Sequence, residues 1–276
     1  MPTPRAPRHA PPSFLMCPPT HYRIAYEINP WMSLARQVNR ARSLAQWRRL
    51  HDTITRTLRA RVRLLPPRPG VPDLVFTANA GLVAGRTFIR SNFRYAQRRP
   101  EEPIVERYFR RAGFCVVRLP ERCRFEGEGD ALWMNGALLF GFRFRSDAPT
   151  HEELARALQA RVLPVELADP RFYHLDTCFC PLDAKTALWF PKAFDRYGRK
   201  VVESVAEETI GVSEADAKRF ACNALVAGRA VVLQDGFSSS LRRRLERRGF
   251  RLYPVDLSEF LKAGGSAKCL VLRMDP

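Results

Sequence analysis

Apolar residues recur along this chain in two alternating periods. Short runs of four to eight with strand character are followed by stretches in which they return every three or four residues. Residues 21–28 alternate and predict a strand, which Asn29-Pro30 breaks. From residue 34 to 62, Leu34, Val38, Leu44, Trp47, Leu50, Ile54 and Leu58 fall at helical steps and predict an amphipathic helix. Short strands are then expected at 73–77 and 81–89, a helix at 103–112 and a strand at 114–119. Asn135-Gly136 marks a hairpin within 131–140. Thr150-His-Glu-Glu153 reads as a capping box opening a helix to 160, with a strand at 162–167. A second hairpin is predicted from 173–181 and 186–190, then a helix over 196–210 and a short one over 213–219. Strands at 222–227 and 230–233, a helix at 238–248, a strand at 250–255, a short helix at 258–261 and a strand at 270–273 complete the pattern.

The order strand-strand-helix-strand therefore returns about five times, with no Gly/Ser-rich linker and no exact sequence repeat. This implies one closed α/β domain built from structural repeats, assigned to residues 13–276. An open doubly wound sheet would need a Gly-x-Gly-x-x-Gly turn between a strand and a helix. Gly127-Glu-Gly129 is the nearest approach, and a strand follows it. Residues 1–12 are proline-rich and basic, lack the apolar stretch of a secretory signal, and are expected to form a loose tail. No apolar run reaches the roughly 18 residues that span a bilayer. A cytoplasmic protein without membrane association is expected.

The chain has 276 residues, 46% of them hydrophobic, enough for a sizeable core. Its seven cysteines are an odd number in a chain that does not look secreted, which argues against a disulfide framework. Cys178-Phe-Cys180 lacks a second pair at zinc-site spacing and reads as two small apolar residues on a strand. No metal and no cofactor is expected. The formal charge of +18 comes mostly from Arg spread along the chain. No RRM, zinc-finger or basic-zipper signature accompanies it, so a specific nucleic-acid partner is not expected. Self-association stays open.

Candidate chemistry gathers in a few segments. Gly264-Gly-Ser-Ala-Lys-Cys-Leu270 places Cys269 in a glycine-rich loop, where a thiolate nucleophile can be displayed. His174 is its distant partner, the Cys-plus-His form of nucleophilic catalysis. Glu126, Asp130 and Asp176 add carboxylates, and Asn79 adds a carboxamide. Such a set suits a cationic, planar, multi-donor group: a guanidinium presents five N–H donors that carboxylates and amide oxygens can saturate. Bland readings stand beside these. Asp130 could serve only the Gly127–Gly129 turn, Asn79 could only cap a turn, and Cys17 and Asn29 could either line the site or order the N-terminal strand.

Phe76-Thr-Ala-Asn-Ala-Gly81, Phe125-Glu-Gly-Glu-Gly-Asp-Ala131 and Phe172-Tyr-His-Leu-Asp-Thr-Cys-Phe179, with the Cys269 loop, resemble the guanidino-group-modifying superfamily of arginine deiminases, dimethylarginine dimethylaminohydrolases and amidinotransferases. The resemblance runs from about Met16 to Arg273 and is nearest the arginine dihydrolase branch. It implies a five-bladed α/β propeller (pentein) of pseudo-symmetric ββαβ modules, and conversion of L-arginine to ornithine, carbon dioxide and two ammonia. Carried over by position, it makes Cys269 the nucleophile, His174 the general acid/base and Glu126 the catalytic acidic residue. Asp176 would bind guanidinium nitrogens, and Arg98 and Arg145 the substrate α-carboxylate. In a chain so rich in Arg, either could equally be a solvated surface charge. The chain reads Glu-Gly-Glu-Gly-Asp where deiminases carry Glu-x-Gly-Asp, so Glu126 and Glu128 compete; Glu126 is preferred because it follows Phe125 at the expected strand end. Asn79 stands where deiminases carry Asp. A deiminase or dimethylarginine hydrolase, an amidinotransferase, and a non-catalytic basic binding protein on the same fold are the alternatives. The chain stops three residues beyond Arg273, so any second enzyme is expected on a separate chain.

Overall fold

A computed structural model describes residues 11–275. The first ten residues of the expected tail lie outside the described residues. In chain order the elements are β1 (Ser13–Met16), α1 (Arg40–Asp52), β2 (Arg61–Leu64), β3 (Gly81–Ala84), β4 (Thr87–Arg90), α2 (Glu101–Arg111) and β5 (Cys115–Arg118). Then follow β6 (Ala131–Met134), β7 (Ala137–Phe142), α3 (Thr150–Leu158), β8 (Val162–Glu166), β9 (Phe179–Pro181), β10 (Thr186–Trp189), α4 (Arg196–Val205) and β11 (Glu208–Gly211). The last part holds α5 (Glu214–Lys218), β12 (Leu225–Ala227), β13 (Ala230–Gln234), α6 (Ser239–Glu246), β14 (Arg251–Val255), α7 (Ser258–Leu261) and β15 (Leu272–Arg273).

These strands form five three-stranded sheets, in the orders β15-β1-β2, β3-β4-β5, β6-β7-β8, β9-β10-β11 and β12-β13-β14. In each, an antiparallel pair is followed through a helix by a parallel third strand, which is a ββαβ module. The helix is needed because a parallel partner can be reached only by a crossover. The first module is closed by β15, which pairs with β1 through Phe14↔Arg273 and Leu15↔Leu272. The five sheets are therefore the blades of the expected propeller. The first strands of the blades converge on a cavity of about 140 Å³ lined by Phe14, Leu82, Trp133, Phe179, Val226 and Arg273. Apolar packing runs between each sheet and its helix, as where Phe88 of β4 stacks on Phe109 of α2 with ring centroids 3.6 Å apart.

Departures from the expected elements have a common cause. The first strand of a blade begins later than apolarity predicts, because a turn rich in site residues precedes it. Residues 73–77 are not a strand but run through two 3₁₀ turns, Pro72–Val75 and Thr77–Ala80. Residues 173–178, 222–224 and 270–271 likewise lie outside the strands that were expected to include them. Residues 21–28 alternate because Tyr22, Ile24 and Ile28 are buried, yet they form no strand. Tyr22 stacks on Phe260 at 5.0 Å, and the Ile24 and Ile28 carbonyls accept from the Gln37 and Arg145 side chains rather than from a neighbouring strand. The long first helix starts only at Arg40, capped by Asn39, while Leu34 is exposed. The segment 196–210 divides into α4 and β11, the parallel strand its blade requires. Thr150 does not cap its helix; its hydroxyl donates to the Arg124 carbonyl.

Candidate active site

Each of the five turns ahead of a first strand delivers a polar group. Asn79 precedes β3, Glu126 and Asp130 precede β6, His174 and Asp176 precede β9, Asn223 precedes β12, and Cys269 precedes β15. All seven are buried. The turns are stitched together directly: the Ala78 amide donates to the Cys269 carbonyl at 3.2 Å, and the Thr77 hydroxyl contacts the Leu15 and Leu270 carbonyls.

The thiol of Cys269 lies 3.3 Å from Asp176 Oδ2. Burial, and then the Asp176 carboxylate beside it, push the thiol well above its ordinary range, so the sulfur is neutral in the substrate-free protein. Burial pushes Asp176 itself up to about 7, opposed chiefly by Lys268. His174 Nε2 is 2.8 Å from Glu126 Oε2, and Arg145 Nη1 donates to the same oxygen at 2.8 Å. Burial acts to raise Glu126, but the Arg145 charge and then the His174 hydrogen bond outweigh it and hold the carboxyl below its usual range. Burial brings His174 down to about 4 against the pull of Glu126. The pair is thus carboxylate and neutral imidazole. Because a carboxylate only accepts, Nε2 must carry the hydrogen and the lone pair must sit on Nδ1. Nδ1 is buried with no hydrogen-bond partner in the protein.

Arg98 and Arg145 are both buried, so neither is the solvated surface charge that composition allowed. Arg145 lies between Tyr95 and Tyr173, 4.9 and 4.6 Å from their ring centroids. Its Nη2 donates to the Ile28 carbonyl at 3.0 Å. Arg98 forks onto Glu101 with two bonds of 2.8 Å, donates to the Asp73 carbonyl at 3.2 Å, and gives Nη1–H to Asn79 Oδ1 at 2.9 Å. An arginine has no acceptor, so the amide atom facing it has to be oxygen. One of the two lone pairs of the Asn79 oxygen is thus taken by Arg98, and the other is left for a guanidinium N–H. Asn79 also offers its buried, unpartnered Nδ2 donor.

Asp130 sits behind these groups. One oxygen accepts from Ser146 Oγ at 2.6 Å and the other from the Leu175 amide at 3.1 Å. It orients the turn that carries His174 and Asp176. Glu126, not Glu128, faces His174. Glu128 turns toward the axis, where one oxygen takes Lys268 Nζ at 2.7 Å and the Arg273 amide at 3.1 Å. That ion pair borders the axial cavity. Asn29 donates to the Ala263 carbonyl and so ties residues near 29 to the nucleophile loop. Cys178 and Cys180 are buried apolar neighbours of β9, and no group of three or more His, Cys, Asp or Glu suited to a metal occurs among the described residues.

Three buried polar residues of this cluster were missed in the sequence: Asp73, with its unpartnered Oδ1; Glu101, the partner of Arg98, which burial pushes up to about 7; and Asn223, against the Cys269 sulfur. A weak internal echo could have found the last. Asn79-Ala80 and Asn223-Ala224 stand just before a blade's first strand, and Asp130-Ala131 at the start of one.

Gly129 is where this packing is tightest. A Cβ there would stand 2.4 Å from Asn79 Nδ2 and 3.2 Å from the His174 ring. Since Arg98 holds the amide, it cannot swing aside without losing that bond. Gly129→Ala is expected to lower kcat about 100-fold, by misplacing groups that act at one atom. Steady-state kinetics beside a thermal melt checks this; unchanged kcat would show that the Asn79 and His174 positions do not matter.

A ring of five ββαβ blades carrying a buried thiol, a His–carboxylate pair and further carboxylates around its axis defines a guanidino-modifying pentein. The chain belongs to the dimethylarginine dimethylaminohydrolase family: residues 19–274 match the family described as N,N dimethylarginine dimethylhydrolase, eukaryotic. It is 45% identical over 265 residues to the bifunctional arginine dihydrolase/ornithine cyclodeaminase ArgZ of Synechocystis sp., covering 94% of this chain and 37% of that protein. The chain thus spans little more than a third of that relative. It is 39% identical over 277 residues to the N(G),N(G)-dimethylarginine dimethylaminohydrolase of Mycobacterium tuberculosis, covering 99% of this chain and 88% of that one. The crystal structure of the N-terminal domain of ArgZ, a cysteine-to-serine variant bound to substrate, superimposes with a TM-score of 0.92 at 43% identity. That match covers 96% of this chain and 98% of the domain.

Proposed function

We propose that the protein is an arginine dihydrolase, taking L-arginine and two waters to ornithine, carbon dioxide and two ammonia. The observation that carries this reading is the Cys269 sulfur 3.3 Å from Asp176, together with buried, unpartnered atoms of His174, Asp176 and Asn79 on the turns ahead of the blades' first strands. An arriving guanidinium brings the positive charge that the raised thiol lacks. It pairs with Asp176 and favours the thiolate. The thiol proton passes to His174 Nδ1 as the sulfur attacks the guanidinium carbon, and Nδ1 delivers it to the nitrogen that leaves as ammonia. An amidino-thioether remains. His174 Nδ1 next takes a proton from water, the oxygen adds to carbon, and the C–S bond breaks to release the ureido product. In a second round the sulfur attacks the ureido carbon and ammonia leaves again. Water then frees the sulfur, and the resulting carbamate loses carbon dioxide to give ornithine.

Asn79 favours the second round. A guanidinium offers only donors, whereas a ureido group has a carbonyl oxygen that can accept from Nδ2–H. Arg98 and Arg145 are assigned to the α-carboxylate end of the pocket, with Arg145 also fixing Glu126. All seven cysteines are free thiols, which fits the reducing cytoplasm where we place the reaction. Among the described residues no helix is long and apolar enough to cross a membrane.

Product analysis by mass spectrometry tests the assignment. Ornithine with two equivalents of ammonia supports it; citrulline with one makes the protein a deiminase. The family match and the mycobacterial relative favour a second reading, release of dimethylamine from dimethylarginine. Competition between arginine and dimethylarginine at equal concentration decides between them. Asn79→Asp is expected to stop the reaction at citrulline, since a carboxylate clamps guanidinium but repels a ureido oxygen. The ornithine-to-citrulline ratio should fall at least about tenfold, the scale of one lost hydrogen bond to a buried polar group. An unchanged ratio would remove the argument from Asn79.

A further inference from the structure

Asn223 lies one blade away from His174 and Asp176 and has no place in the chemistry above, yet its side chain makes more contacts with the nucleophile segment than any of them. Its Oδ1 accepts from the Ser266 and Cys269 backbone amides, both at 3.1 Å. Its Nδ2 donates to Cys269 Sγ at 3.0 Å and to the Asp176 carbonyl at 3.1 Å. Both N–H groups and both lone pairs of the carboxamide are used. Two backbone N–H groups meet one end of the amide, so that end is oxygen and the end against the sulfur is NH₂. The side chain is fully buried. It is presented by a tight turn whose preceding Phe220 holds φ at +59°, a left-handed conformation uncommon for a bulky residue. The Lys268 amide also donates to the Asn223 backbone carbonyl, so main chain and side chain grip the same loop.

We propose that Asn223 is a catalytic residue: its Nδ2–H stabilises negative charge on the Cys269 sulfur while its Oδ1 fixes the loop that aims that sulfur. This rests on the reading of Cys269 as nucleophile. A neutral thiol is a weak acceptor, whereas an N–H bond to a thiolate is charge-assisted, so the interaction gains strength when the sulfur ionises. It fades when carbon is attached and returns when the C–S bond breaks, so it acts on both the attack and the release. The charged and titratable groups that bear on the sulfur are Asp176 at 3.3 Å and Tyr173; Lys268, next in the chain, turns its ammonium onto Glu128, and His174 is engaged with Glu126. Asp176 opposes the thiolate. Among the described residues Asn223 is the one side chain that donates a hydrogen bond to it.

Asn223→Asp separates the two contacts. It keeps an oxygen for the two backbone amides and replaces the N–H donor by a second negative oxygen beside the sulfur. The measurement is the pH dependence of iodoacetamide alkylation at Cys269, located by peptide mass spectrometry, together with kcat and KM for arginine. The expected result is a folded protein whose Cys269 alkylation profile is displaced to higher pH. Its kcat should be reduced on the order of 100-fold, as for loss of one preorganised donor, with KM changed only a few-fold. A purely structural role would change the melting temperature and leave the alkylation profile of the uncharged Asn223→Ser where it was, since a carboxylate beside the sulfur raises the thiol by its charge alone. An unmoved profile with kcat near that of the parent would overturn the proposal. Asn223→Ser removes the carboxamide without adding charge, whether or not Asn223→Asp folds. Its thiol profile must move the same way, and an unshifted one counts against the proposal equally. Retained turnover in Cys269→Ser would instead defeat the nucleophile reading beneath it.

Discussion

Cys269→Ser is expected to fold normally, bind arginine and turn it over on the order of 10⁵-fold more slowly than the parent, the scale of losing a nucleophile outright. The fold should survive because a hydroxyl suits the place of the thiol: Asn223 Nδ2 can donate to it and Asp176 Oδ2 can accept from it. The chemistry should not, because the alcohol is far less acidic than a thiol that burial and Asp176 already hold above its ordinary range. Guanidinium binding brings a thiol within reach of ionisation and leaves an alcohol out of reach. Calorimetric titration with arginine should still report binding, since Asp176 and the two arginines are untouched. Turnover within tenfold of the parent would show that carbon is attacked directly by water, and the covalent route would be wrong.

Glu126→Gln is expected to have the next largest effect. Glu126 binds the charge of Arg145 and the N–H of His174 through one oxygen. The amide oxygen can still accept both bonds but supplies no charge. His174 is already brought down to about 4 by burial, and Glu126 is the group that raises it. Removing that charge drives the imidazole lower still, so it protonates departing ammonia less readily; kcat should fall about 10³-fold, within the range of general acid–base catalysis. Stability should change with a defined sign. Glu126 has a folded pKa below its unfolded one, so it contributes stability above pH about 4.5, lost as pH falls further. The variant lacks that contribution and leaves Arg145 buried without its partner, a loss of about 3 kcal/mol at neutral pH. Thermal melts of parent and variant should therefore differ most near pH 7 and draw together only as the pH falls from about 4.5 through the depressed folded range of Glu126. Parallel curves would mean that Glu126 is held no differently in the folded and unfolded states.

The ring was legible in the sequence because its signal is a repeated order of elements, and Cys269, His174 and the carboxylates stood out as candidates because they sit in glycine-rich or strand-end segments. Two kinds of information were not. One is where a buried apolar run stops being strand. Residues 73–77 and 173–178 carry the same apolarity as the strands beside them, and only three-dimensional need turns them into loops that aim Asn79, His174 and Asp176. Residues 21–28 failed for the related reason that alternation reports burial, and burial against Phe76 and Phe260 leaves the same trace as burial in a sheet. The other is the direction of a hydrogen bond. Composition says that Asn79 holds both a donor and an acceptor. Only the position of Arg98 says which of them faces it and which is left unpartnered. Asn223 was hidden by its plainness: an asparagine between Cys222 and Ala224 resembles any turn residue until the sulfur of Cys269 is seen beside it.

The pairing of β15 with β1 sets an order of events during translation. Asn79, Glu126 and His174 leave the ribosome well before Cys269, and β1 has one edge covered by β2 while its other edge waits for Leu272 and Arg273. At about 5–20 residues per second that wait lasts tens of seconds. Through it the nascent chain holds an unpaired apolar edge, Phe14 to Met16, which is a template for association with other chains. The same delay means that a nascent chain short of Cys269 holds the other site residues without the sulfur, which arrives with the strand that shuts the ring.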